Sequence, residues 1–483
     1  MNQLNRTTAN INTQLPIKVV QFGEGNFLRA FVDYIIDKLN TEAHFNAGVV
    51  VVQPLENGLV PLLNEQDGLY TLFMRGIKKG QLIDEHRVIS CIQKSINPYH
   101  NFDVYLDLAT EKDLEFLISN TTESGIAFDA NDTGFGQCPN SFPAKVTALL
   151  YKRFQYFNGA NDKGLTIIPC ELINYNGDAL KGIILQYANH WNLGQDFINW
   201  IEKSNSFHNT LVDRIVPGYP KDDIASYEAK LSYKDKLIVS AEVFLLWVIE
   251  GDDALLAKIP FNKINENVLV VNDMQPYRTR KVRILNGAHT AVVPFSIMYG
   301  KKTVKETMDD TFTESFLHKV VYDEINKTLP LSQKEVDDFA EEVFDRFRNP
   351  FIKHLLSSIV LNSISKFKVR MMPSLLAYKT QFGNLPTNLT FSLACLIRFY
   401  KGEWQGVMLP VQDDAQVVAF FETVWKTNNY KDISEKTLSN TSFWDEDVSQ
   451  VSGLVNAVAS ALELLDTLGL EKGLKEFSEK VMV

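Results

Sequence analysis

The chain has 483 residues, 45% hydrophobic and 22% charged, with a formal net charge of −11. That length supports two or three domains with cores of their own, and the negative balance argues against a nucleic acid or a membrane surface as partner. Four cysteines, Cys91, Cys138, Cys170 and Cys395, form no C-x-x-C pair, which suits a reducing compartment and gives no thiolate metal site. No apolar run approaches the roughly 20 residues of a membrane span. Residues 1–14 lack the apolar stretch of a secretion signal. The expected location is the cytoplasm; the oligomeric state stays open.

Residues 17–22 are a short apolar run that reads as a strand. Gly23 and Gly25 follow, and Phe27, Ala30, Phe31, Tyr34 and Ile35 then recur at helical spacing. A strand, a glycine turn and a helix start make a dinucleotide pyrophosphate site, although Leu28 stands where a third glycine would complete G-x-G-x-x-G. Residues 48–53, with four consecutive valines, read as the next strand and end at Gln53-Pro54; the nearest acid is Glu56. Gln53 can bond a ribose hydroxyl without repelling a phosphate, so residue chemistry leaves NAD and NADP both open.

Stretches 70–75 and 87–92 flank Lys78-Lys79-Gly80 and read as a hairpin inserted into the pattern. Residues 102–109 read as helix, 114–119 as strand, 143–154 as a helix with Pro143 in its first turn, 165–170 as strand and 178–187 as helix. Such alternation predicts an α/β, doubly wound parallel sheet. From about residue 273 helical patterns dominate, which predicts two domains, 1–270 and a mainly α-helical 271–483. The last pattern, 455–468, has an apolar face and stops at Gly469.

Where the helical half begins, Lys281, Asn286 and His289 form a K-x4-N-x2-H pattern. On an α-helix His289 would lie about 80° and Asn286 about 140° from Lys281, so all three can line one side of a cleft. A lysine base, an amide donor and an imidazole are what hydride transfer at a secondary alcohol needs when no metal takes part. Arg278, Arg280 and Arg283 surround the lysine, and Lys366, Lys368 and Arg370 form a second basic run. The other histidines, His44, His86, His100, His190, His208, His318 and His354, lack metal-ligand spacing and read as structural or surface residues.

Five segments in order resemble the polyol-specific long-chain dehydrogenases, the mannitol dehydrogenase family: 23–31, 119–123, 212–217, 242–250 and the Lys281–Asn286–His289 pattern. The resemblance implies a Rossmann-type N-terminal domain with the inserted hairpin and a helical C-terminal domain. It further implies nicotinamide-dependent, metal-independent oxidation of sugar alcohols or sugar acids. By the same resemblance, Lys281, Asn286 and His289 are catalytic. Phe22, Gly23, Gly25, Asn26, Phe27, Gln53 and Asn120 bind the coenzyme, expected to be NAD. Arg278, Asn176, Lys368 and Arg370 meet the substrate. Most of the family carries an asparagine, a second oxyanion donor, where this chain has Leu172, which cannot donate. The Cys170-Glu171-Leu172-Ile173 variant resembles the branch acting on a keto-sugar acid, tagaturonate, for whose carboxylate an arginine fork is suited. Fructuronate, a neutral polyol such as mannitol, or a non-catalytic nucleotide sensor are the alternatives.

Overall fold

The computed structural model describes residues 1–481. Two compact units emerge: Met1–Arg75 with Leu82–Met274, and Gly76–Gln81 with the chain from Gln275 onward. The first opens with β1 (Ile17–Phe22) and β2 (Gly48–Val52), then a hairpin of β3 (Tyr70–Lys78) and β4 (Gln81–Ile89) whose tip, Gly76–Gln81, belongs to the second unit. β5 (Ile92–Ile96), β6 (Phe116–Ser119), β7 (Thr166–Pro169) and β8 (Ser206–Phe207) follow. Six of these form one sheet in the order β5-β2-β1-β6-β7-β8, parallel throughout. The α/β reading therefore stands. β2 shows why: Val49 and Val51 enter one core and Val50 and Val52 the other, so a strand covered on both faces reads as an unbroken apolar run.

The hairpin turns at Lys79 (φ 52°) and Gly80 (φ 71°), the two left-handed positions of a tight two-residue turn. Its second strand stops at Ile89; Ile92 opens a separate strand, β5, on the parallel edge beside β2. The sequence pattern had merged the two because only two residues separate them. The helix after the glycine turn is also interrupted. Asn26–Ala30 ends at Phe31 (φ −122°, ψ −76°) and Val32–Glu42 starts anew.

The second unit is mainly helical among the described residues. Thr387–Phe399 is buried from Asn388 to Phe399 on every face, as a helix at the centre of a core must be. Gly287–Met298 and the terminal helix Leu454–Val481 pack against it, and Ser392 Oγ donates to the Ala291 carbonyl at 2.7 Å. Glu324 closes its start, accepting from the backbone N–H of Asn388 and of Leu389, each at 2.7 Å. The terminal helix does break at Gly469 (φ 77°, ψ −175°), but helical structure resumes beyond it.

Candidate active site

The order of the parallel sheet reverses between β1 and β6, and in open α/β sheets ligands bind outside the carboxyl ends of the strands at such a point. The glycine turn lies there. Gly23 N–H donates to the Val52 carbonyl at 3.1 Å, and Asn120 N–H to the Phe22 carbonyl at 3.0 Å. Gly23 has φ +119°, and a Cβ on it would stand 2.8 Å from the Asn120 carbonyl oxygen, so only glycine fits. A Cβ on Gly25 would meet nothing within 4 Å, which leaves open backbone at the start of the Asn26–Ala30 helix. That opening fits a dinucleotide phosphate.

The residues around the turn divide by what their side chains do. The Phe22 ring packs edge-on against Tyr105 and Phe142 in the core, so this residue offers a coenzyme only its backbone. Phe27 stacks on Phe31, and Asn26 Oδ1 accepts from Arg29 Nη2 at 2.8 Å. Gln53 is fully buried. Its Nε2 donates to the carbonyls of Leu55 and Glu56, and its Oε1 accepts from Val60 N–H. Gln53, expected at the ribose, uses both ends of its amide to shape the loop after β2. Asn120 Nδ2 donates to the Cys170 carbonyl at 2.5 Å and ties the ends of β6 and β7 together.

Asn176 also departs from expectation. It is fully buried, donating to the carbonyls of Pro169 (3.0 Å) and Glu171 (3.1 Å) and accepting from Thr210 N–H at 2.8 Å. A side chain engaged at both ends inside the unit frames the turn after β7. Sequence reasoning gave no role to Glu171, which accepts from Ser119 Oγ, Thr121 N–H and Thr121 Oγ1. Burial pushes its carboxyl up against these hydrogen bonds. Leu172, next in the chain, is 62% exposed.

In the second unit the catalytic candidates share one helical rod, but its geometry is not α throughout. Gln275–Arg280 is α-helix, Lys281–Asn286 is π-helix, and Gly287–Met298 is α-helix again. The π-turn holds more residues per revolution, so the α-helical angles between Lys281 and Asn286 do not apply. π-Turns occur mostly as single insertions, frequently at functional sites. Lys281, Asn286 and His289 are each half-buried.

The His289 ring lies under Phe347, with centroids 4.1 Å apart, and edge-on to His354 at 5.1 Å. His354, expected to be structural or at the surface, is therefore part of this cluster. Burial drives His289 well below the ordinary imidazole value, and the neighbouring His354 imidazole and the charges of Arg346 and Arg370 add to the effect, which favours the neutral ring. Arg370 Nη1 donates to Thr290 Oγ1 at 3.2 Å, and Thr290 Oγ1 donates to the Asn286 carbonyl at 2.9 Å.

The other cations divide. Arg280 is buried between Phe339 and Tyr277, and Arg283 donates to Ser374 Oγ at 3.2 Å. Lys366 donates to the Ile359 carbonyl, and Lys368, expected at the substrate, pairs with Asp445 at 2.9 Å. Arg278 is half-buried on Gln275–Arg280. Among the described residues, no helix is long and apolar enough to cross a membrane, and no group of three or more His, Cys, Asp or Glu is placed to hold a metal.

Comparison with known proteins agrees with this architecture. Residues 17–263 match the mannitol dehydrogenase Rossmann domain and residues 273–466 the mannitol dehydrogenase C-terminal domain. Altronate oxidoreductase of Escherichia coli O7:K1 is 47% identical over 470 residues, covering 96% of both chains. Altronate oxidoreductase of Yersinia enterocolitica is 45% identical over 469 residues, covering 96% of this chain and 97% of its own. Among solved structures, substrate-free D-sorbitol dehydrogenase superposes with a TM-score of 0.80 at 19% identity, over 98% of this chain and 100% of the other. Pseudomonas fluorescens mannitol 2-dehydrogenase, solved with NAD and D-mannitol, gives 0.63 at 20% identity, over 99% and 100%. With both family models matched in order along nearly the whole chain, the protein belongs to the mannitol dehydrogenase family.

Proposed function

We propose that this chain is an NAD-dependent oxidoreductase of the cytoplasm that interconverts D-tagaturonate and D-altronate. The observation that carries the reading is the 47% identity, over 96% of the chain, to an altronate oxidoreductase. Bound NADH supplies the hydride. The first unit holds the coenzyme at the open turn of Gly23 and Gly25, with the backbone of Phe22, Asn26 and Phe27 beside it and Asn120 at the neighbouring strand end. The second unit does the acid–base work. Lys281 delivers a proton to the oxygen of the reduced keto group. Asn286 donates a hydrogen bond to that same oxygen. His289, kept neutral by burial first and by the charges of Arg346 and Arg370, bonds a substrate hydroxyl without competing as a proton source. Arg278 and Arg370 supply positive charge for the acid end of the sugar.

The test is loss of NADH absorbance on addition of D-tagaturonate, with D-fructuronate and D-fructose run in parallel. Fastest turnover with tagaturonate is expected, falling about 10²- to 10⁴-fold in Lys281→Ala, the usual contribution of a general acid. Preference for either alternative ketose overturns the substrate. Tight NADH binding without turnover of any of the three overturns the enzyme reading.

A further inference from the structure

The glycine turn is fastened to the end of β2, Gly23 N–H donating to the Val52 carbonyl at 3.1 Å. Glu24, between the two glycines, is thereby set beside the loop of residues 53–60. Its backbone is pinned: Arg29 Nε donates to the Glu24 carbonyl at 3.1 Å, while Arg29 Nη1 and Nη2 donate to the Leu237 carbonyl and to Asn26 Oδ1. Its side chain turns onto the loop. A Cβ on Gly58 would collide with Glu24 Oε1 and stand 2.7 Å from Gln53 Oε1, so the carboxylate and the buried amide meet at one exposed glycine. Burial raises the Glu24 carboxyl, while its own N–H, the Leu59 N–H and the charge of Arg29 act the other way. An ionised carboxylate has about four acceptor sites, so these donors leave room for a hydroxyl.

The end of the second strand is where a Rossmann-type unit reads the adenosine ribose: an acid accepts from its hydroxyls, or an arginine accommodates a 2′-phosphate. In this chain β2 runs into Gln53, whose amide is taken up by Leu55, Glu56 and Val60. Residues 53–60 contain no Lys or Arg. Arg29 is buried behind the turn. Lys145 approaches the loop through Tyr99, which donates to the Pro54 carbonyl at 3.3 Å, but it is fully buried and donates to Tyr99 Oη at 3.0 Å and to the Asn140 carbonyl at 2.7 Å.

We propose that Glu24 selects the coenzyme: its carboxylate accepts from a hydroxyl of the adenosine ribose and turns away a ribose that carries a 2′-phosphate. The inference rests on the nicotinamide-dependent reading above, and it places on the glycine turn the acid that the end of β2 lacks. A hydroxyl donates to the anion, whereas a 2′-phosphate sets about 1.5 to 2 negative charges against it. The turn then serves the dinucleotide twice, with open backbone at Gly25 and a side chain at Glu24.

The test is fluorescence titration of NADH and NADPH into wild type, Glu24→Gln, Glu56→Gln and Gly58→Ala, with 5′-AMP and 2′,5′-ADP as competitors that carry only the adenosine end. Wild type is expected to bind NADH about 100-fold more tightly than NADPH, and 5′-AMP more tightly than 2′,5′-ADP. In Glu24→Gln the ratio should fall about tenfold or more, chiefly because NADPH binds better. Gly58→Ala keeps the acid in the chain and displaces its carboxylate, so it should lower the ratio as well. Glu56→Gln, which changes the exposed acid of the same loop, should leave it unchanged. Equal binding of both coenzymes by wild type, an equal loss for both in Glu24→Gln, or a ratio that moves in Glu56→Gln alone overturns the inference. Binding of neither dinucleotide overturns the coenzyme reading and the inference with it. A ratio that depends on Glu24 in a protein that does not turn over tagaturonate supports the inference and overturns only the substrate.

Discussion

The Asn176 amide is bonded at both ends, to Pro169, Glu171 and Thr210, with no atom left for a sugar. Asn176→Ala would leave buried groups unmatched, each costing about 1–3 kcal/mol. The expected outcome is a loss of about 3 kcal/mol or more in urea unfolding, with the surviving enzyme keeping its KM. A raised KM at unchanged stability would return Asn176 to the substrate. Asp33 makes a different prediction. It is buried beside Gln21 and Tyr70, and burial raises its carboxyl from 3.8 to about 7. The folded state therefore holds this proton more tightly than the unfolded chain. Its contribution is full below pH 4 and is lost as pH climbs through 7, a difference of roughly 4 kcal/mol in the limit. Asp33→Asn should be more stable than wild type at pH 8 and gain nothing at pH 4; equal unfolding midpoints at pH 8 would refute the assignment.

At the scale of elements, the glycine turn is the sharpest case. Gly23→Ala forces a side chain to φ +119° with its Cβ 2.8 Å from the Asn120 carbonyl. About 1–3 kcal/mol of backbone strain is expected, with at least a tenfold loss in NADH affinity by fluorescence titration. That turn was legible because Gly23 and Gly25 follow an apolar run, and β2 because its valines are buried on both faces. The hairpin was legible from Lys79-Gly80. Other features carry no local signal. No residue type announces the π-turn at Lys281–Asn286. His354 lies far along the chain from His289, and only tertiary packing brings the rings together. Gln53 and Asn176 matched the expected residue types, yet whether an amide faces a ligand or its own backbone is decided by loops that sequence periodicity does not describe.

For the molecule as a whole, the two units have separate interiors: two cores flank the parallel sheet, and a helical core surrounds Thr387–Phe399. A chain of this kind departs from two-state unfolding. Calorimetry should resolve two components. NADH at 100 times its Kd should stabilise the coenzyme-binding component by about 2.7 kcal/mol and raise its midpoint first. A single transition moving as one with NADH would show that the units unfold together. The net charge of −11 adds a condition on the substrate, which is itself an anion. Attraction to any local cation acts within a Debye length of about 8 Å at physiological salt, and beyond it the substrate meets an unfavourable overall field.

The π-turn makes the active site depend on phase as well as composition. A wider revolution inside an α-rod takes up one extra residue while the helix beyond it keeps its phase. Relaxing that turn to α geometry at unchanged length would leave Lys281, Asn286 and His289 all in the chain and the rod helical. It would turn Asn286 and His289 about 100° relative to Lys281. A protein so altered keeps its residues and loses their alignment, so a search for the motif by residue identity alone would pass a chain that the frame of the helix had already disarmed.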